Sequence, residues 1–369
     1  MYIFVLFKKT ILIAVLIIAL SIVLVTLLLA PSSTITASVE NDWCGQLVQE
    51  IIESRNAAIL DGDTEKIKSF YNTNTKYGLW AFEHQQKKLK YLHRWADKQG
   101  INITEFNTKV VVRSAKKKGQ GFSINFLASN EYRYVYENSP GEVNIMRIGT
   151  YHSMDVMPVE DKWLITREWY TDPFADSMEA DNIKAGEFKE YILNNSPRDF
   201  SNLNKRRLQA IEYADRYCGA AGEEKYGFSY NKKYLNYNPM GGDCTNFASQ
   251  ILFEGAKFRK TSVWNYDKEG SKAWVNAQTF KDFMLYSGRA SLISYGTYNK
   301  VFKSSYKLLP GDIIAYEKKG KVKHISVVTG ADSKGYTLVN CHNTDRYRVP
   351  WDLGWSDSSI RFWFIRVHY

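Results

Sequence analysis

Gly241-Gly242-Asp243-Cys244-Thr245-Asn246-Phe247-Ala248-Ser249-Gln250 is the stretch around which the chain is organised. Two glycines and an aspartate spell a turn and an N-cap, and a helical pattern starts at once. Cys244, Phe247, Ala248, Ile251 and Leu252 fall at i, i+3, i+4, i+7 and i+8, one face of an amphipathic helix. Cys244 therefore sits in the first turn and faces inward. Unpaired backbone N–H groups and the positive end of the helix dipole favour a thiolate there. Asp243 opposes that effect, so a base has to supply most of any activation. The competing interpretation is a structural cysteine packed as a small hydrophobe.

Three histidines follow Cys244: His324, His342 and His368. His324 opens the β-branched run 324–330, which ends at a glycine and reads as a strand. Before it, residues 309–316 read as a turn leading into another strand. The next strand covers 336–342, where alternation puts Leu338, Asn340 and His342 on one face and Cys341 on the other. A helix-borne cysteine followed by a sheet with one histidine and a second polar group supplies nucleophile, base and orienter.

Residues 237–250 resemble the signature of the bacterial "putative amidase domain" family, a branch of the NlpC/P60- and CHAP-like papain-fold cysteine hydrolases. The resemblance covers roughly residues 203–366. It includes an opening helix with Arg207, Ala210 and Tyr213-Ala214, then Trp264-Asn265-Tyr266, Ser271-Lys272-Ala273-Trp274, Pro310-Gly311-Asp312 and His342-Asn343-Thr344-Asp345. Asn343 stands where the family usually has Thr, and Lys323 where a Trp or small residue often precedes the histidine. The resemblance implies Cys244 as nucleophile and His324 as general base. It leaves two candidates for the orienting residue, His342 by preference and Asn340 as the alternative. Backbone N–H groups at the helix start, Asp243 and Cys244, would hold the oxyanion. Neither a metal nor another cofactor is required for attack on an amide carbonyl through an acyl-enzyme.

The N-terminal region, residues 1–37, carries Lys8-Lys9 and then an uncharged apolar run over 11–30, long enough to span a bilayer. The expectation is a single-pass membrane anchor with the bulk of the chain outside the cytoplasm. Secretion after signal cleavage is the alternative. The remaining chain of the 369 residues suffices for two domains. A net charge of +10 suits an anionic partner such as a bacterial wall. Nucleic acid is not expected, because the basic residues are scattered and no zinc-finger, helix-turn-helix or RNP-type motif is present. The four cysteines show no C-x-x-C pair and no metal-ligand spacing. Pairing among Cys44, Cys218 and Cys341 would leave at least one of them free.

Residues 40–100 read as three helices, one ending near Asp61-Gly62-Asp63, a second over 64–71 and a third over 80–98. Strands are expected at 108–113, 122–126, 132–136, 148–154 and 162–169, with turns at 117–119 and 139–141. This order resembles the cone-shaped NTF2-like (SnoaL-like) superfamily over 40–175. His84, His93 and His152 look isolated there and Asp155 is a lone acid, so the region reads as a spacer or a surface for an envelope protein partner. Residues 176–202 read as a linker with one helix over 183–193, and 203–369 as the hydrolase domain.

The expected fold class is thus α+β: a transmembrane helix, an NTF2-like cone, then a papain-like (NlpC/P60-type) hydrolase domain. The expected activity is a cysteine amidase or peptidase acting on cell-wall peptidoglycan or another peptide amide. A non-hydrolytic envelope-binding protein is the rival, and acyl transfer to an amine is a variant of the same chemistry.

Overall fold

A computed structural model describes residues 33–175, 177 and 186–369, with side chains from residue 42 onward except at 186 and 187. The chain divides into two compact units, Met1–Leu47 and Val48–Tyr369. The first is described only where helix α1 (Ser33–Leu60) covers it. In the second, Val48, Ile51, Ile52, Ala58 and Ile59 are buried along one side of the helix. Asp63 caps α2 (Thr64–Lys68) by accepting from Lys66 N at 2.8 Å. Thr75 caps α3 (Lys76–Gln99), which ends at Gly100 with φ 70°.

Four long antiparallel strands follow: β1 (Ile101–Lys118), β2 (Gly121–Tyr136), β3 (Ser139–Val159) and β4 (Lys162–Tyr170). The segments expected at 122–126 and 132–136 are one strand. The Ala128-Ser129-Asn130-Glu131 stretch between them has weak strand propensity, yet β1 and β3 pair with it on both sides. The chain reverses at Glu137-Asn138, so the turn expected at 139–141 lies inside β3. The expected helix over 183–193 appears as α4 (Gly186–Leu193). Then come α5 (Lys205–Arg216), α6 (Cys244–Gln250), α7 (Lys272–Val275), α8 (Ala277–Tyr286), β5 (Ala290–Thr297) and α9 (Tyr298–Ser305). The chain closes with β6 (Ile313–Lys318), β7 (Lys321–Ala331), β8 (Thr337–Cys341), β9 (Asp345–Pro350) and β10 (Arg361–Val367).

All ten strands form one antiparallel sheet in the order β1-β2-β3-β9-β8-β7-β6-β10-β5, with β4 beside β3. This corrects the expected architecture of a cone followed by a separate papain-like domain. The first half of β3 pairs with β9 (Arg147↔Tyr347 to Gly149↔Asp345) and its second half with β4 (His152↔Tyr170 to Val159↔Lys162). A strand of this length carries the sheet across what reads as two domains.

The expected membrane helix is also corrected. No helix among the described residues is long and apolar enough to cross a membrane. The run over 11–30 lies outside the described residues, and the single-pass, outward-facing location inferred from it is withdrawn.

Helices α5, α6 and α8 cover one face of the β5–β10 half. Phe247, Ala248, Ile251, Trp264, Trp274 and Phe280 pack there on Ile313, Ala315, Ile325, Val327 and Ile365. By register, Ile314, Tyr316, His324, Ser326, Phe362 and Phe364 share the opposite face.

Candidate active site

Asp243 and Cys244 stand where a strained turn meets α6. Gly242 has φ 136°, and a Cβ there would lie 2.1 Å from Asn343 Nδ2, so both conformation and space call for glycine. The Asp243 carboxylate does not cap the helix, contrary to the sequence expectation. Instead Oδ1 accepts from Tyr237 N (2.9 Å) and Asn246 Nδ2 (2.8 Å), while Oδ2 lies 2.6 Å from His342 Nδ1. The Asp243 N–H donates to Asn343 Oδ1 and is thereby engaged.

The remaining signature side chains also make defined contacts. Phe247 stacks on His342 at 3.7 Å, and Tyr230 covers the other face of that ring at 3.8 Å. Ser249 Oγ donates to Trp274 O and accepts from Trp264 Nε1, both at 2.9 Å. Asn246 Oδ1 accepts from Trp274 Nε1, and Gln250 Oε1 from Tyr213 OH. Arg207 forms a buried pair with Asp312 at 2.9 Å and donates to the Pro310 and Val367 carbonyls. Most of the motif thus locks α5, α6 and the strands together.

Cys244 is 5 % exposed. Burial pushes its thiol above the ordinary 9.0, and the Asp243 charge adds to this. A hydrogen bond from the Ile325 amide and the Thr245 hydroxyl, 3.7 Å away, oppose the rise. The Ile325 contact is available because β8 pairs with β7 only from Val327 onward. The sulfur therefore lies beside the main chain immediately after His324.

His324 is buried on the opposite sheet face, with ring centroids 5.1 Å from Trp355 and 5.4 Å from Tyr316. Its Nε2 is buried without a hydrogen-bond partner. Burial, and secondarily the Arg346 charge, lower its pKa to about 3, so the ring is a neutral base. A register shift at Tyr316/Glu317 makes room for Lys323 as an extra residue just before it. The Cys244 sulfur thus lies beside the Ile325 backbone, the His324 ring lies on the opposite sheet face, and no hydrogen bond joins the two.

His342, preferred as orienter, lies one residue past β8 and contacts Asp243 in place of His324. Its Nε2 also faces Tyr217 O at 2.7 Å. Asn340 is engaged elsewhere: its Nδ2 donates to Asp215, and its Oδ1 accepts from Thr329 and Arg348 N.

Sequence reasoning missed two constellations. Asp345 accepts from Tyr230 OH (2.5 Å), Ala220 N (2.7 Å) and Tyr151 OH (3.1 Å), so a β3 residue is tied to the ring that covers His342. The "isolated" His152 is part of a buried network. Glu168 accepts from Arg55 (2.6 Å) and Tyr71 (2.9 Å), and its Oε1 lies 3.0 Å from His152 Nδ1. The β3–β4 register, which pairs His152 with Tyr170 and Met154 with Glu168, is what brings the histidine to this carboxylate. His93 lies against Ile59 O at 2.8 Å, and Asp155 pairs with Lys118 at 2.7 Å. Among the described residues, no group of three His, Cys, Asp or Glu side chains could hold a metal, and the four cysteines form no disulfide.

Residues 204–365 match the model of the "Putative amidase domain" family. Two proteins of Bacillus subtilis (strain 168) are similar. "Uncharacterized protein YhbB" is 28% identical over 172 residues, 44% of this chain and 50% of that protein. "Uncharacterized protein YjcM" is 30% identical over 167 residues, 41% of this chain and 37% of that protein. The matches thus span half or less of these relatives' length. No solved structure matches the chain.

Proposed function

We propose that the chain hydrolyses amide bonds through Cys244, with His324 as general base. The observation that carries this is an uncommitted neutral imidazole one residue from the amide that hydrogen-bonds the Cys244 sulfur. The family match over 204–365 supports amide chemistry as the class. Because burial holds both groups neutral, the thiol proton passes to His324 as sulfur attacks the carbonyl, without a resting ion pair. The step requires the His324 imidazole and the sulfur to come within hydrogen-bond reach when substrate binds. As the first helical residue, Cys244 has an N–H without an intrahelical acceptor, and it is the proposed oxyanion donor. His342 acts on the site through Asp243, fixing the turn that carries the nucleophile. Water, or an amine in the transfer variant, then releases the acyl group.

The proposed substrate is the peptide portion of a bacterial wall polymer, to which a chain of charge +10 would be attracted. Digestion of purified peptidoglycan, with products identified by mass spectrometry, tests this. Peptides freed from glycan mean an amidase and shortened stem peptides an endopeptidase; neither products nor retention of the polymer means a different amide.

The raised thiol and the missing Cys–His hydrogen bond favour a second reading, a domain that binds wall peptides without cutting them. Retention of peptidoglycan without any released product would support it.

A further inference from the structure

We infer that the α3–β4 region carries a carbohydrate-binding site, independent of the amide chemistry proposed for Cys244. A cavity of about 470 Å3, within the usual range for small-ligand sites, opens between α3 and the end of β4. Three large aromatic residues line it while remaining largely in solvent: Tyr77 (56 % exposed), Trp80 (53 %) and Trp169 (61 %). Exposed aromatic side chains gathered around one cavity mark a recognition surface more than a packing error.

The polar lining narrows the ligand class. Gln85 is 1 % exposed and makes one side-chain hydrogen bond, from Nε2 to Tyr170 OH at 3.3 Å. Its other amide atom is buried without a partner, and this holds whichever way the amide is turned. Asp172 Oδ2 is likewise buried without an aligned hydrogen bond, although His84 Nε2 lies 3.1 Å away. Arg167, also on the lining, adds donors. The site thus offers both donors and acceptors, which hydroxyl groups satisfy and an ammonium group, a donor only, does not.

Charge points the same way. Glu168 is paired with Arg55, Asp172 lies 3.1 Å from His84, and Arg167 lies 3.9 Å from Asp155, so neither sign dominates. Lys76 Nζ, which does not line the cavity, sits 4.6 Å from the centre of the Trp80 ring and already supplies that ring with a cation. A neutral polyhydroxylated ring stacked on Trp80 or Trp169, with hydroxyls at Gln85 and Asp172, fits these features.

The test is titration of the full chain with the β-1,4-linked tetramer of N-acetylglucosamine, followed by tryptophan fluorescence and calorimetry. Saturable binding is expected, weakened about tenfold or more in Trp80→Ala and in Trp169→Ala. Both side chains are exposed, and circular dichroism checks that the variants stay folded. Absence of binding at millimolar sugar overturns the inference, as does equal affinity in wild type and both variants. Choline binding at this site without sugar binding overturns it too, by assigning the aromatic rings to a cation.

Discussion

Cys244 and His324 reverse one expectation at the residue scale. Position at a helix start argues for an activated thiolate, but burial outweighs the dipole and pushes the thiol above 9.0. Iodoacetamide labelling of Cys244, followed by peptide mass spectrometry, should therefore stay slow until pH exceeds 9. A plateau already reached near pH 6 would mean a resting thiolate and a different mechanism. His324, lowered to about 3, remains neutral where an ordinary histidine is charged. Amide hydrolysis should accordingly hold its rate between pH 7 and 5, and loss of half the activity near 6.5 would contradict the assigned base. The cysteine and the strand histidine were legible because helical and strand periodicities expose them. Their environment was not, since Trp355 and Arg346 reach His324 from beyond the strands that the pattern outlines.

At the scale of elements, the start of α6 is fastened to the loop after β8 by the Asp243–His342 pair, both side chains almost fully buried. Removing one partner of such a pair leaves an uncompensated buried charge, so Asp243→Ala should cost about 3–5 kcal/mol in urea unfolding. Loss of less than about 1 kcal/mol would show that the contact is not an ion pair. His342→Gln, which keeps hydrogen-bonding capacity, should cost less. Tyr151→Phe removes one of the hydrogen bonds on Asp345 and should cost about 1 kcal/mol by the same measurement. The motif showed that Asp243 and His342 belong near one functional region. It did not show that they bond to each other, because strand alternation fixes a face and not a partner.

For the whole molecule, the consequence of the continuous sheet is that its two halves share buried polar groups as well as strands. Lys98 on α3 lies 2.5 Å from Asp352, which also accepts from Trp95 and Tyr336, and Asp332 accepts from Tyr134 and Tyr136 of β2. Lys98→Met should destabilise the whole of the second unit by about 3 kcal/mol in a single unfolding transition; a separate early transition would show two independently stable halves. Acid should also weaken this unit. The unfolded chain protonates His324 near 6.5 and the folded chain only near 3. The unfolded state thus binds more protons in that window, and stability rises with pH across it. The slope should be shallower in His324→Gln. Local patterns gave most helices and strands their places. The β3–β9 pairing was hidden because the paired residues lie about 200 positions apart and nothing in either strand names the other.

The central claim is nucleophilic attack by Cys244, and the most direct measurement is peptidoglycan digestion by the full chain beside Cys244→Ala. The account predicts amide cleavage by the wild type and loss of at least about 10³-fold in the variant, with its unfolding midpoint little changed. Equal product release by both proteins would contradict it and leave Cys244 a packing residue at the head of α6.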